Sequence, residues 1–180
     1  VNKVIASVTA YGVLDDIPFS TGPARPRPGQ DIVMTKWAGL SGTWLLEKEY
    51  HQQFVHKYNP DLADSIARMK DDFSVSREAA LALSYGVFGG LWEVAVAGKV
   101  GLRVDLKKIP LKQETVELCD FVDVNPYQLV SMGSLLIGAD NGEQLVRCLH
   151  EQGIAAAVIG SFTDSNDRVI INDDEVRYLE

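Results

Sequence analysis

The sequence predicts an α+β domain in which helices are layered on a mixed β-sheet. Two observations carry that expectation. Short runs rich in Val, Ile and Thr are interspersed with apolar runs of helical period, so neither element type dominates. The alternation is not a strict strand-helix repeat, the pattern that would specify an all-parallel sheet. With 180 residues, the chain can hide roughly two thirds of its unfolded surface, enough for one core and one compact domain.

Taken in order, Lys3 to Leu14 has the Val, Ile, Thr and Tyr content of a strand. DDIPFSTGPARPRPGQ, Asp15 to Gln30, holds four prolines and reads as a loop. DIVMTKW supplies a short strand, and the glycines of AGLSGT break it before a helix from Gly42 to Tyr58. Ser41 is the expected N-cap of that helix, Leu46, Tyr50 and Phe54 repeat at helical spacing, and Asn59-Pro60 stops it. PDLADSIARMKDD sets Leu62, Ile66 and Met69 on one helical face, and SREAALALSY is a third helix capped by Ser76.

Leu91 to Ala97 is predicted as a helix ended by Gly98, and VGLRVDL as a strand with Val100, Leu102 and Val104 on one side. Beyond Pro110, Thr115, Leu118, Cys119 and Val122 share a helix face that Asn125-Pro126 closes. SLLIGA is a buried strand, Asp140-Asn141 caps the helix GEQLVRCLHEQ, and Gly153 ends it. The strands AAAVIGSF, RVIIN and EVRYL follow, separated by the turns TDSND and Asp173-Asp174.

A net charge of −8 argues against a non-specific nucleic-acid binder, which needs a basic surface to displace counterions. No apolar run is long enough to span a membrane, and the N-terminus lacks the pattern of a signal peptide, so the expected location is cytoplasmic. Cys119 and Cys148 sit among apolar helix residues and read as free thiols. His51, His56 and His150 have no metal-ligand spacing and read as solvated helix residues; no metal site is expected.

The cluster YGVFGG opens a helix at Gly86, Gly89 and Gly90. Two readings are open. Backbone N–H groups and the positive helix N-terminus can cradle a phosphate, or the glycines can permit close packing of helix on sheet. The stretch is neither a P-loop nor a dinucleotide fingerprint. WAGLSGT, with Gly39, Gly42 and Thr43, is a second glycine-bearing strand-to-helix turn: Ser41 and Thr43 can donate to an anion, or the turn is a plain N-cap. Ser131, Gly133 and Ser134 form a tight turn before a strand, and no Ser, His and Asp set has the local signature of a hydrolase elbow, so no catalytic residue is assigned.

Together, RPGQDIVMTKWAGLSGT, then FGGLWEVAVAGKVGLRVDLKKIPLKQETVELCDFVDVNPYQLVSMGSLLIGA, then GIAAAVIGSF resemble the C-terminal domain of the aminoimidazole ribonucleotide synthetase-related superfamily. That superfamily includes a hydrogenase maturation protein that dehydrates a thiocarbamoyl group, selenophosphate synthetase and thiamine-monophosphate kinase. The resemblance covers Lys3 to Tyr178 and implies that superfamily's layered fold.

It also implies an enzyme of two domains using ATP and Mg. The N-terminal domain forms the dimer core and carries the acidic, metal-binding motif that holds ATP. The C-terminal domain covers the nucleotide and substrate cleft and contributes a glycine-rich turn. By that comparison residues 1–180 are one domain, with the ATP-binding domain absent and therefore a partner. No catalysis and no bound cofactor are expected of this domain alone. The implied site residues are Gly86, Gly89 and Gly90 with Gly39, Gly42 and Thr43, and the implied ligand is a phosphate-bearing small molecule. A homodimer is the implied assembly.

Two departures from the family pattern stand out. Between Ser84 and Phe88 the resemblance leads one to expect about a dozen more residues, the length of a strand and turn, either deleted or carried outside this sequence. The ending EVRYLE lacks the C-terminal cysteine expected of the maturation protein, which weighs against that version. The alternative reading is a non-catalytic interaction or regulatory domain that kept the fold.

Overall fold

The computed structural model describes residues 25–77, 87–88 and 90–179. The predicted strand Lys3–Leu14, the first part of the proline-rich loop and most of the third helix lie outside the described residues, as do Gly86 and Gly89.

Among the described residues, seven strands form one mixed sheet: β1 (Asp31–Thr35), β2 (Val87–Phe88), β3 (Gly101–Asp105), β4 (Leu136–Ala139), β5 (Ala156–Thr163), β6 (Arg168–Asn172) and β7 (Glu175–Tyr178). Their spatial order is β2-β4-β1-β5-β3-β6-β7. Every neighbouring pair is antiparallel except β3 and β6, which run parallel. Among the described residues, five α-helices accompany the sheet: α1 (Leu40–Lys57), α2 (Pro60–Arg68), α3 (Leu91–Gly98), α4 (Gln113–Val122) and α5 (Gly142–Glu151).

The period of two along the strands divides the core between the two sheet faces. Ile32 and Met34 of β1 join Leu102, Val104, Ile159 and Phe162 under Val94 and Ala95 of α3. Val33, from the same strand, faces the other way with Ile137 and Ala139, under Leu145, Val146 and Leu149 of α5. Where β3 and β5 meet, a Cβ on Gly160 would fall 2.2 Å from the Arg103 carbonyl oxygen, so only glycine fits that approach.

A third cluster joins α1, α2 and α4 through Leu40, Phe54, Ala63, Ile66, Met69 and Leu118. Phe54 stacks on Tyr58 at 4.7 Å and meets Phe121 edge-on at 5.6 Å.

Several element ends follow local chemistry. The Asn59 side chain accepts from Asp61 N–H at the start of α2, and Asn141 accepts from Gln144 N–H at the start of α5. Gly153 takes φ 73° just beyond α5. The start of α1 differs from expectation: it begins at Leu40, and its N-cap is Gly39, not Ser41. Ser41 lies inside the helix because its hydroxyl is engaged elsewhere, donating to Val130 O and accepting from Met132 N–H. The expected stripe on α1 is also only partial. Phe54 is buried, Leu46 packs against the cluster, and Tyr50 is 37% exposed, while Glu47 occupies the buried face.

Candidate functional site

The register places both glycine turns at one end of the sheet. Met34 at the end of β1 stands opposite Leu136 at the start of β4, and Leu136 stands opposite Phe88 at the end of β2. The chain therefore leaves β1 toward Gly39 and leaves β2 toward Gly90 from the same edge. Thr35 pairs with Ala156, so β5 also begins there.

The Gly39 turn is laced to the segment 126–134. Gly39 adopts φ 75° and its N–H donates to Ser131 Oγ at 2.8 Å. Gly42 N–H donates to Val130 O at 2.9 Å. A Cβ on Gly42 would lie 2.7 Å from Leu129 Cβ, so the segment rests directly on the helix backbone. Thr43 is fully buried, and its hydroxyl reaches Gly39 O at 2.8 Å and Thr115 Oγ1 at 3.0 Å. Ser134 Oγ donates to Trp37 O at 2.7 Å. Gly39, Gly42 and Thr43 thus form a packed joint whose named donors are engaged within the chain.

The second turn is built differently. Gly90 has φ 63° and ψ 139°, is exposed, and no side chain caps the helix it opens. In the next residues of α3, Trp92 is 45% exposed, and the Arg168 guanidinium lies 4.1 Å from its ring centroid. The first turn of α3 therefore carries an exposed tryptophan with a cation stacked on it, and in sequence it also holds Glu93. At α5 the comparable position is filled from within, because Asp31 Oδ2 accepts from Gly142 N–H at 2.8 Å.

Beside the Gly39 turn lies a polar pocket of about 240 Å³, lined by Lys36, Trp37, Asp71, Asp72, Ser74, Arg77 and residues 153–155. Lys36 adopts φ 54°, and its ammonium donates to the carbonyls of Asp72 at 2.9 Å and Ser74 at 2.5 Å. Lys112 pairs with Asp72 at 3.1 Å and sits 4.2 Å over the Trp37 ring.

Sequence reasoning missed Glu47. Its side chain is 1% exposed, one carboxylate oxygen meets His51 Nδ1, and the other has no hydrogen-bond partner. Its polar neighbours on a helix give no periodic sign that this position is buried. Farther away, burial opposes ionisation of Glu114, but hydrogen bonds from Ser65 and its own backbone, with the Lys112 charge, hold its carboxyl below the usual range. Burial alone raises the Cys119 thiol and the Tyr127 phenol. Among the described residues no group of three His, Cys, Asp or Glu side chains is placed to hold a metal ion, and no helix is long and apolar enough to cross a membrane.

The family model for the AIR synthase related protein C-terminal domain matches residues 27–172, from just before β1 through β6. The chain belongs to the AIR synthase related protein family. This AIR synthase related domain is 24% identical over 145 residues to the carbamoyl dehydratase HypE of Rhizobium leguminosarum bv. viciae, covering 74% of this chain and 41% of that protein. A solved hydrogenase maturation protein HypE in complex with ATP shares its fold at TM-score 0.62 and 19% identity, over 88% of this chain and 52% of the other. Thiamine-monophosphate kinase from Stenotrophomonas maltophilia K279a does so at TM-score 0.63 and 17% identity, over 85% and 52%. The AIR synthase related domain thus spans about half the length of the proteins it resembles.

Proposed function

We propose that this domain is the C-terminal part of an ATP-dependent enzyme, where it covers the nucleotide and substrate cleft and does not catalyse alone. One observation carries this reading: both glycine turns open from the same sheet end, and among the described residues the segment 126–134 engages the backbone of the Gly39 turn but not that of the Gly90 turn. In this reading Gly86, Gly89 and Gly90 face the phosphates, while Gly39, Gly42 and Thr43 position the cleft wall. ATP, when bound, supplies a phosphoryl group that turns a poor oxygen leaving group into a good one. The backbone N–H groups at Gly90 would hold phosphate charge.

An N-terminal ATP-binding domain is the required partner, and it would supply the acidic ligands for Mg. The whole is a cytoplasmic homodimer acting on a phosphate-bearing or phosphorylatable small molecule. The hydrogenase-maturation version is supported by the HypE relative. A second reading, an interaction domain that kept the fold, is favoured by one feature: β7 is an edge strand exposed along its length, with Val176 at 56% and Tyr178 at 65%.

The test mixes the purified chain with the N-terminal domain of a HypE relative and follows thermal unfolding with and without Mg-ATP. A ligand at a hundredfold excess over its Kd stabilises the native state by about 2.7 kcal/mol, so a clear rise in Tm is expected of the mixture. A Tm unmoved by ATP, together with self-association lost on a charged substitution in β7, would support the interaction reading instead.

A further inference from the structure

We propose that β7 is a self-pairing edge: a second copy of this chain adds its own β7 antiparallel to it, across a two-fold axis at Val176, and the two sheets become one. This pairing is independent of the Mg-ATP reading; it rests on the interaction reading of β7 and adds the occupant and the register.

The hairpin decides which backbone groups point outward. β7 ends the strand order, and among the described residues β6 is its only neighbour. Leu179 N–H donates to Arg168 O at 2.8 Å, and the register runs without a shift through Val169 with Tyr178, Ile170 with Arg177, Ile171 with Val176 and Asn172 with Glu175. In an antiparallel ladder, hydrogen-bonded pairs alternate with non-bonded ones. Glu175 and Arg177 therefore turn their backbone groups toward β6, and Val176 and Tyr178 turn theirs away from it.

Side chains alternate as well. Glu175 and Arg177 share the α3 side of the sheet, where Ile170 and Leu179 pack against the core cluster, and their carboxylate and guanidinium meet at 2.8 Å. Val176 and Tyr178 lie on the other side, opposite Ile171 and Val169, which are themselves only half-buried. An outward-facing strand edge beside an exposed apolar strip is the kind of surface that monomeric proteins blunt with charge or proline.

The charges of β7 select both occupant and register. A ladder between two copies of β7 forms only where outward residues oppose outward residues. With Val176 opposite Val176, Glu175 of each copy faces Arg177 of the other, and this favourable pair occurs on both sides of the axis. A slip of two residues in one direction sets Arg177 against Arg177, and in the other Glu175 against Glu175; like charges directly opposite destabilise a pair. A slip of one residue opposes outward to inward groups and loses the ladder. The same two charges that guard the edge against slipped registers therefore favour the two-fold one, in which identical patches meet. On the opposite side of the sheet, Val176 meets Val176 and joins the two apolar strips. A ladder this short predicts a weak, concentration-dependent dimer.

Sedimentation velocity of the intact chain across a dilution series tests this, at low ionic strength, where exposed charges are least screened. Wild type, Glu175→Arg, Arg177→Glu and the double variant E175R/R177E are compared after circular dichroism shows each is folded. Wild type is expected to dimerise as concentration rises. Each single substitution turns both facing pairs into like-charge pairs and should raise the dimer Kd about tenfold or more. The double variant restores both pairs with the signs exchanged and should dimerise like wild type. An equimolar mixture of E175R and R177E chains should also dimerise, because every facing pair is then opposite in sign. Single variants weakened with no rescue in the double variant or the mixture overturn the register. A wild-type dimer that the single substitutions leave unchanged places the interface elsewhere and overturns both the pairing and the interaction reading of β7. A wild type monomeric at every concentration overturns self-pairing alone, and the interaction reading is then judged by the Mg-ATP experiment.

Discussion

Replacing Gly42 by alanine should destabilise the domain, although the same change in most helices stabilises. Alanine is favoured over glycine in a helix by about 1 kcal/mol at most. Here the new methyl would sit 2.7 Å from Leu129 Cβ, 3.1 Å from Val130 N and 3.2 Å from Val130 O. None of these atoms is the free end of a flexible side chain, so the whole segment 126–134 must move. Overpacking of this kind costs about 1–3 kcal/mol, and displacing the segment also breaks the Gly42 N–H to Val130 O bond, worth about 1 kcal/mol. The propensity gain offsets about one of these terms, leaving a net loss of about 1–3 kcal/mol. For a domain of this size each kcal/mol lowers Tm by about 2–4 °C. Thermal and urea unfolding followed by circular dichroism measure the loss, and hydrogen exchange at Val130 and Met132 shows whether that segment opens first. A variant with unchanged or higher Tm would refute the packed-joint description of the Gly39 turn.

Two further expectations follow from side chains away from the turns. Glu114 titrates below its ordinary range in the folded state, so it stabilises the fold above the unfolded carboxylate pKa of about 4.3 and loses that contribution as pH falls through its folded pKa. Ser65→Ala removes a donor to that carboxylate while leaving its burial, so acid unfolding should move to higher pH, and the difference from wild type should vanish once Glu114 is protonated; parallel acid titrations check this. Cys119 is 1% exposed, with a thiol pushed up by burial, whereas Cys148 is only partly buried. A thiol reagent should therefore label the folded chain at Cys148 first and reach Cys119 at the rate of unfolding, and equal rates at both would contradict the packing of α4.

What the sequence determined was local. Asn59 and Asn141 are legible as caps because a short polar side chain satisfies N–H groups two or three residues away. The alternation of Val100, Leu102 and Val104 is legible because the pleat has a period of two, and all three are buried. The mixed sheet was legible from the irregular order of strands and helices, and the AIR synthase related resemblance from the stretches spanning β1 to β5. What only the tertiary structure decided was which distant groups meet. Ser41 looks like an N-cap until Val130 and Met132, some ninety residues on, take its hydroxyl. The two glycine turns look equivalent until the segment around Ser131 engages the backbone of the Gly39 turn. Strand order, the parallel pairing of β3 with β6, the burial of Glu47 and the stacking of Arg168 on Trp92 share that character. Backbone propensity acts over a few residues, whereas these contacts form only when sheet register brings remote segments within hydrogen-bond or van der Waals reach.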